Sequence, residues 1–127
     1  MSQYEAGVCN IGASEVARRR QVAYLGGALY AFFLALAILQ DFSSVTTIAA
    51  LIPAILFSVG FIQSRRKFCL AYGLMGSFNF QKLGSLTQVE DQISLKADRS
   101  TALSILAQSV GLALLLTCIA IALNIAL

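Results

Sequence analysis

Three long stretches of the chain carry no charged residue, and the charges lie before the first stretch and between the stretches. Arg20 and Asp41 are separated by 20 uncharged residues, Asp41 and Arg65 by 23, and the last 28 residues follow Arg99 without a charge. A helix needs roughly 20 apolar residues to cross about 30 Å of hydrocarbon, and a backbone in lipid must satisfy its own hydrogen bonds. The pattern therefore predicts an all-α integral membrane protein with three transmembrane helices.

The uncharged stretches divide the chain into six consecutive segments. We predict an N-terminal segment 1–20, a first transmembrane helix 21–40, a short external loop 41–44, a second helix 45–64, an interfacial and surface-helix segment 65–99, and a third transmembrane helix 100–127. Within the fifth segment, apolar residues at helical spacing predict an amphipathic surface helix; they are Leu83, Leu86, Val89 and Ile93. Asp98 is the expected N-cap of the third transmembrane helix.

The composition agrees with a membrane location. Hydrophobic residues make up 58% of the chain and charged residues 12%, whereas soluble domains carry roughly 45–50% and about 25%. The net charge is +3, but no basic array of the kind expected for phosphate contacts to nucleic acid is present. The expected partners are membrane lipids together with other membrane protein subunits or further copies of this chain, and no nucleic acid.

The basic residues predict how the chain is oriented. Two crossings return the chain to its starting side, so all nine Lys and Arg residues lie on that side. The positive-inside rule then predicts a cytoplasmic N-terminus and an external C-terminus. The residues expected to set the topology and the interface are Arg18, Arg19, Arg20, Arg65, Arg66, Lys67, Phe68, Tyr72, Phe78 and Phe80.

The stretch from Phe68 to Phe80 is uncharged but only 13 residues long. It is too short to span a bilayer, and its composition is typical of an interfacial or re-entrant segment. Gly73 and Gly76 argue against a long helix here. Its aromatic side chains could contact lipid tails, a quinone or a pigment, and the sequence does not assign a cofactor.

Small residues recur at helical spacing in all three predicted spans. In lipid, such faces let helix backbones approach closely, because packing rather than water exclusion drives association there. We predict packing faces, within the chain or toward other chains, at Gly27, Ala31, Ala35, Ala50, Ala54, Ser58, Ala107 and Gly111.

The reactive groups are few. The chain has no histidine and no charge within a predicted span, which disfavours proton relays and voltage sensors, and no catalytic or metal-binding residues are predicted. Glu15, three and four residues before Arg18 and Arg19, is expected to form exposed helix pairs. Cys9 and Cys69 lie on the same predicted side and form a candidate thiol pair, although their spacing is no metal motif and two ordinary thiols remain the alternative.

Two short sequence motifs, called words below, stand out near these thiols. CNIG at 9–12 and FNF at 78–80 are typical of local turn or recognition elements. Taken together, the packing faces and the lack of catalytic groups favour a structural role, as a small accessory subunit or assembly factor of a larger membrane complex. The alternatives are a thiol-based redox or metal-handling membrane protein that uses Cys9 and Cys69, and a self-assembling channel or transporter subunit.

Overall fold

The computed structural model describes residues 4–79 and 87–127. The helices are α1 (Ala13–Leu39), α2 (Ser44–Thr47), a 3₁₀ turn (Ile48–Ala50), α3 (Leu51–Arg66), α4 (Leu70–Met75) and α5 (Gln92–Ala126). Two short antiparallel strands, β1 (Ser77–Phe78) and β2 (Thr87–Gln88), pair with Ser77 opposite Gln88 and Phe78 opposite Thr87.

Three helical stretches in the described part of the chain are long and apolar enough to cross a membrane. They are Ala13–Leu39, Ser44–Arg66 and Gln92–Ala126, so the predicted all-α fold with three transmembrane helices is confirmed. The second stretch combines α2, the 3₁₀ turn and α3. Its irregular part lies just before Pro53, whose missing N–H interrupts regular helix geometry on the N-terminal side.

The third membrane helix begins eight residues earlier than expected. Asp91 caps α5, because its carboxylate accepts hydrogen bonds from the backbone N–H groups of Ile93 and Ser94 at 3.4 and 3.3 Å. The expected cap at Asp98 was therefore wrong. Residues 92–99 belong to α5 and not to a separate surface helix, residues 87–88 form β2, and residues 81–86 lie outside the described residues.

Helices α1 and α3 touch through two glycines. Gly26 lies directly against the backbone of Phe57, and a Cβ on Gly60 would lie 2.7 Å from the Ala23 nitrogen and 2.8 Å from the Arg19 carbonyl oxygen. Only glycine permits this approach, since a side chain at either position would push the helices apart.

Helix α3 packs against both α1 and α5, and polar contacts tie α5 to the rest of the bundle. The Tyr30 hydroxyl on α1 donates to the Leu116 carbonyl on α5 at 2.6 Å. At the far end, the Asn124 amide donates to the Phe42 carbonyl at 2.6 Å and to the Thr47 hydroxyl at 3.1 Å. These bonds satisfy polar groups that would otherwise face lipid.

The opposite end of the bundle, which carries Arg18–Arg20 and Arg65–Lys67, is called the basic end below. Here the N-terminal segment 4–12 and the segment 67–79 fold over the helix ends. Backbone bonds join them: Gly12 donates to the Asn79 carbonyl and Asn79 donates to the Asn10 carbonyl, each at 2.8 Å. These two segments build the polar site described next.

Candidate functional site: a buried polar cluster at the basic end

Glu15 is the centre of the cluster, and its side chain is fully buried. It lies in the first turn of α1. Its carboxylate accepts hydrogen bonds from Arg19 Nη1 at 2.5 Å, from Asn79 Nδ2 at 3.1 Å and from the Tyr72 hydroxyl. A buried carboxylate is tolerated only when paired and hydrogen-bonded, and Glu15 meets both conditions.

Arg19 links Glu15 to Cys69. Its Nη1 donates to the carboxylate, its Nη2 lies 2.9 Å from the Cys69 sulfur, and the guanidinium lies 5.5 Å from the centre of the Tyr72 ring. A planar guanidinium can serve two acceptors and stack on an aromatic face at once. One arginine thereby holds α1, the segment after α3, and α4 together.

Asn10 fixes the backbone of Cys69. The Asn10 Oδ1 accepts from the Cys69 N–H at 2.7 Å, and Nδ2 donates to the Cys69 carbonyl at 3.3 Å. Both asparagines of the two sequence words, Asn10 and Asn79, are buried. The words CNIG and FNF therefore come together in space, across one parallel bridge between Ile11 and Asn79.

A second buried carboxylate anchors the start of the described chain. Asp98 on α5 accepts from the Tyr4 hydroxyl at 2.6 Å and from the Gly7 N–H at 2.7 Å. The Thr101 hydroxyl donates to the Gly7 carbonyl at 2.6 Å, and the Tyr4 ring stacks on Phe78 with centroids 4.5 Å apart. The segment 4–12 is thus held on α5 by side chains as well as by its own backbone.

Burial and these carboxylates shift the acidities of nearby groups. Burial, the hydrogen bond to Glu15 and the charge of that carboxylate raise the pKa of Tyr72 above its ordinary value of 10.0. Burial and Asp98 raise the pKa of Tyr4 in the same way. Burial raises the pKa of the Cys9 thiol, against a smaller opposite effect of its bond to the Ile11 carbonyl, so Cys9 is a weak nucleophile at neutral pH.

The two candidate thiols have different partners. Cys69 is buried and lies against Arg19, whereas Cys9 is half-buried and donates to the Ile11 carbonyl at 3.6 Å. Both are free cysteines in this structure. Within residues 4–79 and 87–127, no group of three or more His, Cys, Asp or Glu side chains is arranged to hold a metal ion.

The predicted interface residues separate into exposed and buried ones. Arg18, Arg20, Arg65, Arg66 and Lys67 are exposed, whereas Arg19 is not. Phe68 was expected at the headgroup level, but it is fully buried and packs against Ile62, Ala102 and Ile105. Tyr72 joins the polar cluster, Phe78 stacks on Tyr4, and Phe80 lies outside the described residues.

The predicted small-residue faces also divide. Ala50, Ala54 and Ser58 are buried inside the chain. On α1 the residues at the contact are Ala23 and Gly26, while Gly27 is half-buried beside the Phe57 ring and Ala31 and Ala35 are exposed. Ala107 and Gly111 on α5 are exposed too, so the described chain itself does not use them for packing.

Sequence reasoning missed the centre of the cluster. The spacing of Glu15 and Arg19 correctly predicts their ion pair, but the pair was expected to be exposed and Glu15 is fully buried. One signal was available in the sequence, namely the unusual composition of the motifs CNIG and FNF around Asn10 and Asn79. Nothing in the sequence showed that distant segments close over Glu15.

Among the described residues, the arrangement joins segments that are far apart in the sequence. Glu15 already accepts three hydrogen bonds, and Asn10 uses both ends of its amide. The chain matches no protein-family model, no curated protein and no solved structure. The fold and the cluster together define the class of protein. It is a three-helix membrane bundle whose basic end is closed by the buried polar cluster around Glu15, called the polar joint below.

Proposed function

We propose that this chain is a small structural or accessory subunit, or an assembly factor, of a larger membrane protein complex. The observation that carries the proposal is a line of exposed small residues along α5. They follow one another at intervals of three, four or seven residues and are Ser100, Ser104, Ala107, Gly111, Cys118 and Ala122. A helix of a partner protein can approach closely along such a line.

Gly111 lies near the middle of this line and is open. A Cβ built on it meets no atom within 4 Å, in contrast to Gly26 and Gly60. A glycine in a helix interior costs stability relative to alanine, and the fold of this chain gives no packing reason for it. Contact with a neighbouring transmembrane helix supplies that reason.

The closed polar joint supports the same role. Together with the Asp98 contacts, it connects the N-terminal segment, α1, α4 and α5 through hydrogen bonds. We infer that this end is a rigid platform and is cytoplasmic by the positive-inside rule, because it carries Arg18–Arg20 and Arg65–Lys67. A topology reporter fused after Leu127 tests this orientation. A reporter that works only outside the cytoplasm should be active at this position. Activity of a reporter that works only in the cytoplasm would contradict the orientation.

Co-purification tests the accessory role directly. The tagged chain is extracted from its own membrane in mild detergent and compared with Gly111→Leu, which adds bulk to the α5 line at an exposed position where a Cβ meets no atom within 4 Å. Ala28→Leu, at an exposed position on α1, is the matched control. We expect other subunits to accompany the native chain and the control but to be lost with Gly111→Leu.

Two results would count against the accessory role. One is a native chain that runs alone or only with copies of itself. The other is a set of subunits that Gly111→Leu leaves unchanged.

A second candidate is thiol chemistry at Cys69, favoured by the 2.9 Å contact between its sulfur and Arg19 Nη2. Cys69→Ser should then abolish a redox-dependent phenotype in cells, and Cys118→Ser, at an exposed position on α5, should not. A phenotype that survives Cys69→Ser removes this candidate.

A further inference from the structure

Two hollows lie along the contact between α1 and α3. The first, of about 270 Å³, lies at the basic end and is lined by Arg18, Arg19, Val22, Gly60 and Gln63. We call it the basic hollow. The second, of about 400 Å³, lies farther along the helices between apolar side chains that include Leu29, Phe32, Leu36, Ala49, Ile52 and Leu56. We call it the apolar groove.

Both hollows open on the same face of the helix pair. On α1 the lining residues follow at intervals of four, seven, three and four, which is helical spacing for one face: Arg18, Val22, Leu29, Phe32 and Leu36. On the second span the intervals are three, four, four and three: Gln63, Gly60, Leu56, Ile52 and Ala49. The two hollows therefore lie in line along one face, the first at the basic end and the second in the apolar region.

The distance from Arg18 to the near part of the apolar groove corresponds to the length of one lipid. With a rise of 1.5 Å per residue, Leu29 and Phe32 lie roughly 16–21 Å from Arg18 along the helix axis. Half of a bilayer, including its headgroup region, is about 20 Å thick. A lipid whose phosphate lies beside Arg18 would thus end its acyl chain at the near part of the apolar groove.

The charges in the basic hollow favour an anionic headgroup. Glu15 already pairs with Arg19, and among the described residues no acidic side chain lines the hollow, so the exposed Arg18 provides its positive charge. Guanidinium groups bind phosphate oxygens through paired hydrogen bonds. A zwitterionic lipid would bring its own ammonium close to the positive charge of Arg18, which is unfavourable.

We propose that the contact between α1 and α3 binds one anionic phospholipid. The phosphate lies on Arg18, and one acyl chain runs along the shared face into the apolar groove. Arg20 is excluded as a headgroup ligand of this site, because two residues rotate a helix by roughly 200° and place it on the opposite side of α1 from Arg18. The accessory role proposed above is independent of this site.

Native mass spectrometry of the full chain, purified in detergent containing equal amounts of phosphatidylglycerol and phosphatidylcholine, tests the headgroup site. The native chain should retain one phosphatidylglycerol in preference to phosphatidylcholine. Arg18→Gln should lower this preference about tenfold or more, as expected for the loss of a charge-assisted hydrogen bond. The control Arg65→Gln removes an equal charge at the same end, outside the hollow, and should cost at most about fivefold.

Equal losses in these two variants would overturn the proposal, because they would mean that diffuse attraction rather than a site selects the lipid.

Competition with soluble inorganic phosphate distinguishes a lipid headgroup from a free phosphate ion as the occupant of the basic hollow. Phosphate in excess should leave the bound lipid in place, since it cannot occupy the groove. Displacement of the lipid by phosphate would assign the hollow to the free anion and also overturn the proposal.

A second pair of variants tests the groove. Ala49 is exposed and lines the groove, so Ala49→Phe fills it without entering the core. Retention of phosphatidylglycerol should fall with Ala49→Phe and stay unchanged with Ala31→Phe, at an exposed position on the opposite side of α1. Unchanged retention in both variants would show that no acyl chain lies in the groove.

Discussion

The hydroxyl of Tyr4 donates a hydrogen bond to Asp98 at 2.6 Å across 94 residues of sequence. The bond joins the N-terminal segment to the second turn of α5, before that helix enters its uncharged stretch. The same carboxylate accepts from the Gly7 N–H. One buried side chain on α5 thus holds two residues of the N-terminal segment.

Replacing Asp98 should release this segment. Asp98→Ala leaves the Tyr4 hydroxyl and the Gly7 N–H without their acceptor, and each group left unpaired costs about 1–3 kcal/mol. Hydrogen exchange of the backbone within residues 4–12 should become faster, while exchange in the middle of α1 and α5 stays slow. Glu5→Gln is the control, because it removes one negative charge from the same segment at an exposed position.

The pair Glu15 and Arg19 should be strongly coupled in stability. Glu15→Gln leaves Arg19 largely buried without its partner, and Arg19→Gln leaves Glu15 fully buried without its partner. Each variant should lower the free energy of unfolding by about 3 kcal/mol. The double variant should lose clearly less than the sum of the two. Denaturant titration in detergent, followed by circular dichroism, measures all three, and simple additivity would contradict the pairing.

Alkaline pH should weaken the fold through Tyr72. The pKa of Tyr72 is raised above 10.0 by burial and by Glu15, so its contribution to stability is fully present below the unfolded value near 10 and lost as pH rises through the folded value. The native chain should therefore be more stable than Tyr72→Phe at pH 8, and the difference should shrink above about pH 10. A difference that stays constant to pH 11.5 would argue against the bond to Glu15.

Replacement by alanine should destabilise the chain at Gly60 but not at Gly111. Gly60→Ala places a Cβ 2.7 Å from the Ala23 nitrogen, so α1 and α3 must separate, and the free energy of unfolding should fall by about 1–3 kcal/mol. Gly111→Ala meets no atom within 4 Å and should not destabilise the isolated chain. Thermal unfolding of the purified protein in one detergent compares them, and equal losses would contradict the close approach at Gly60.

The membrane helices were predictable because their signal is local. A run of about 20 uncharged, apolar residues has one stable arrangement in lipid, whatever the rest of the chain does. The boundaries were less predictable, as α5 shows: the cap at Asp91, rather than Asp98, extends the helix by eight residues. Several residues there could cap a helix, and packing of the N-terminal segment on Asp98 gave that carboxylate other partners.

The packing faces were only partly predictable for a related reason. Small residues at helical spacing occur on more than one side of α1, and the sequence pattern does not tell which side meets α3. The structure selects Ala23 and Gly26, and leaves Ala31 and Ala35 exposed. The selection depends on the complementary surface of α3 around Gly60, which no pattern within α1 contains.

The amino-acid sequence by itself determined the three membrane helices and the concentration of positive charge at one end, because hydrophobicity and charge act on each segment separately. The tertiary structure alone decided that Glu15, Arg19, Cys69, Tyr72 and Asn79 form one buried joint. Their burial is a property of segments up to 64 residues apart closing over one another. A single charged residue in a sequence looks the same whether solvent or a folded partner surrounds it.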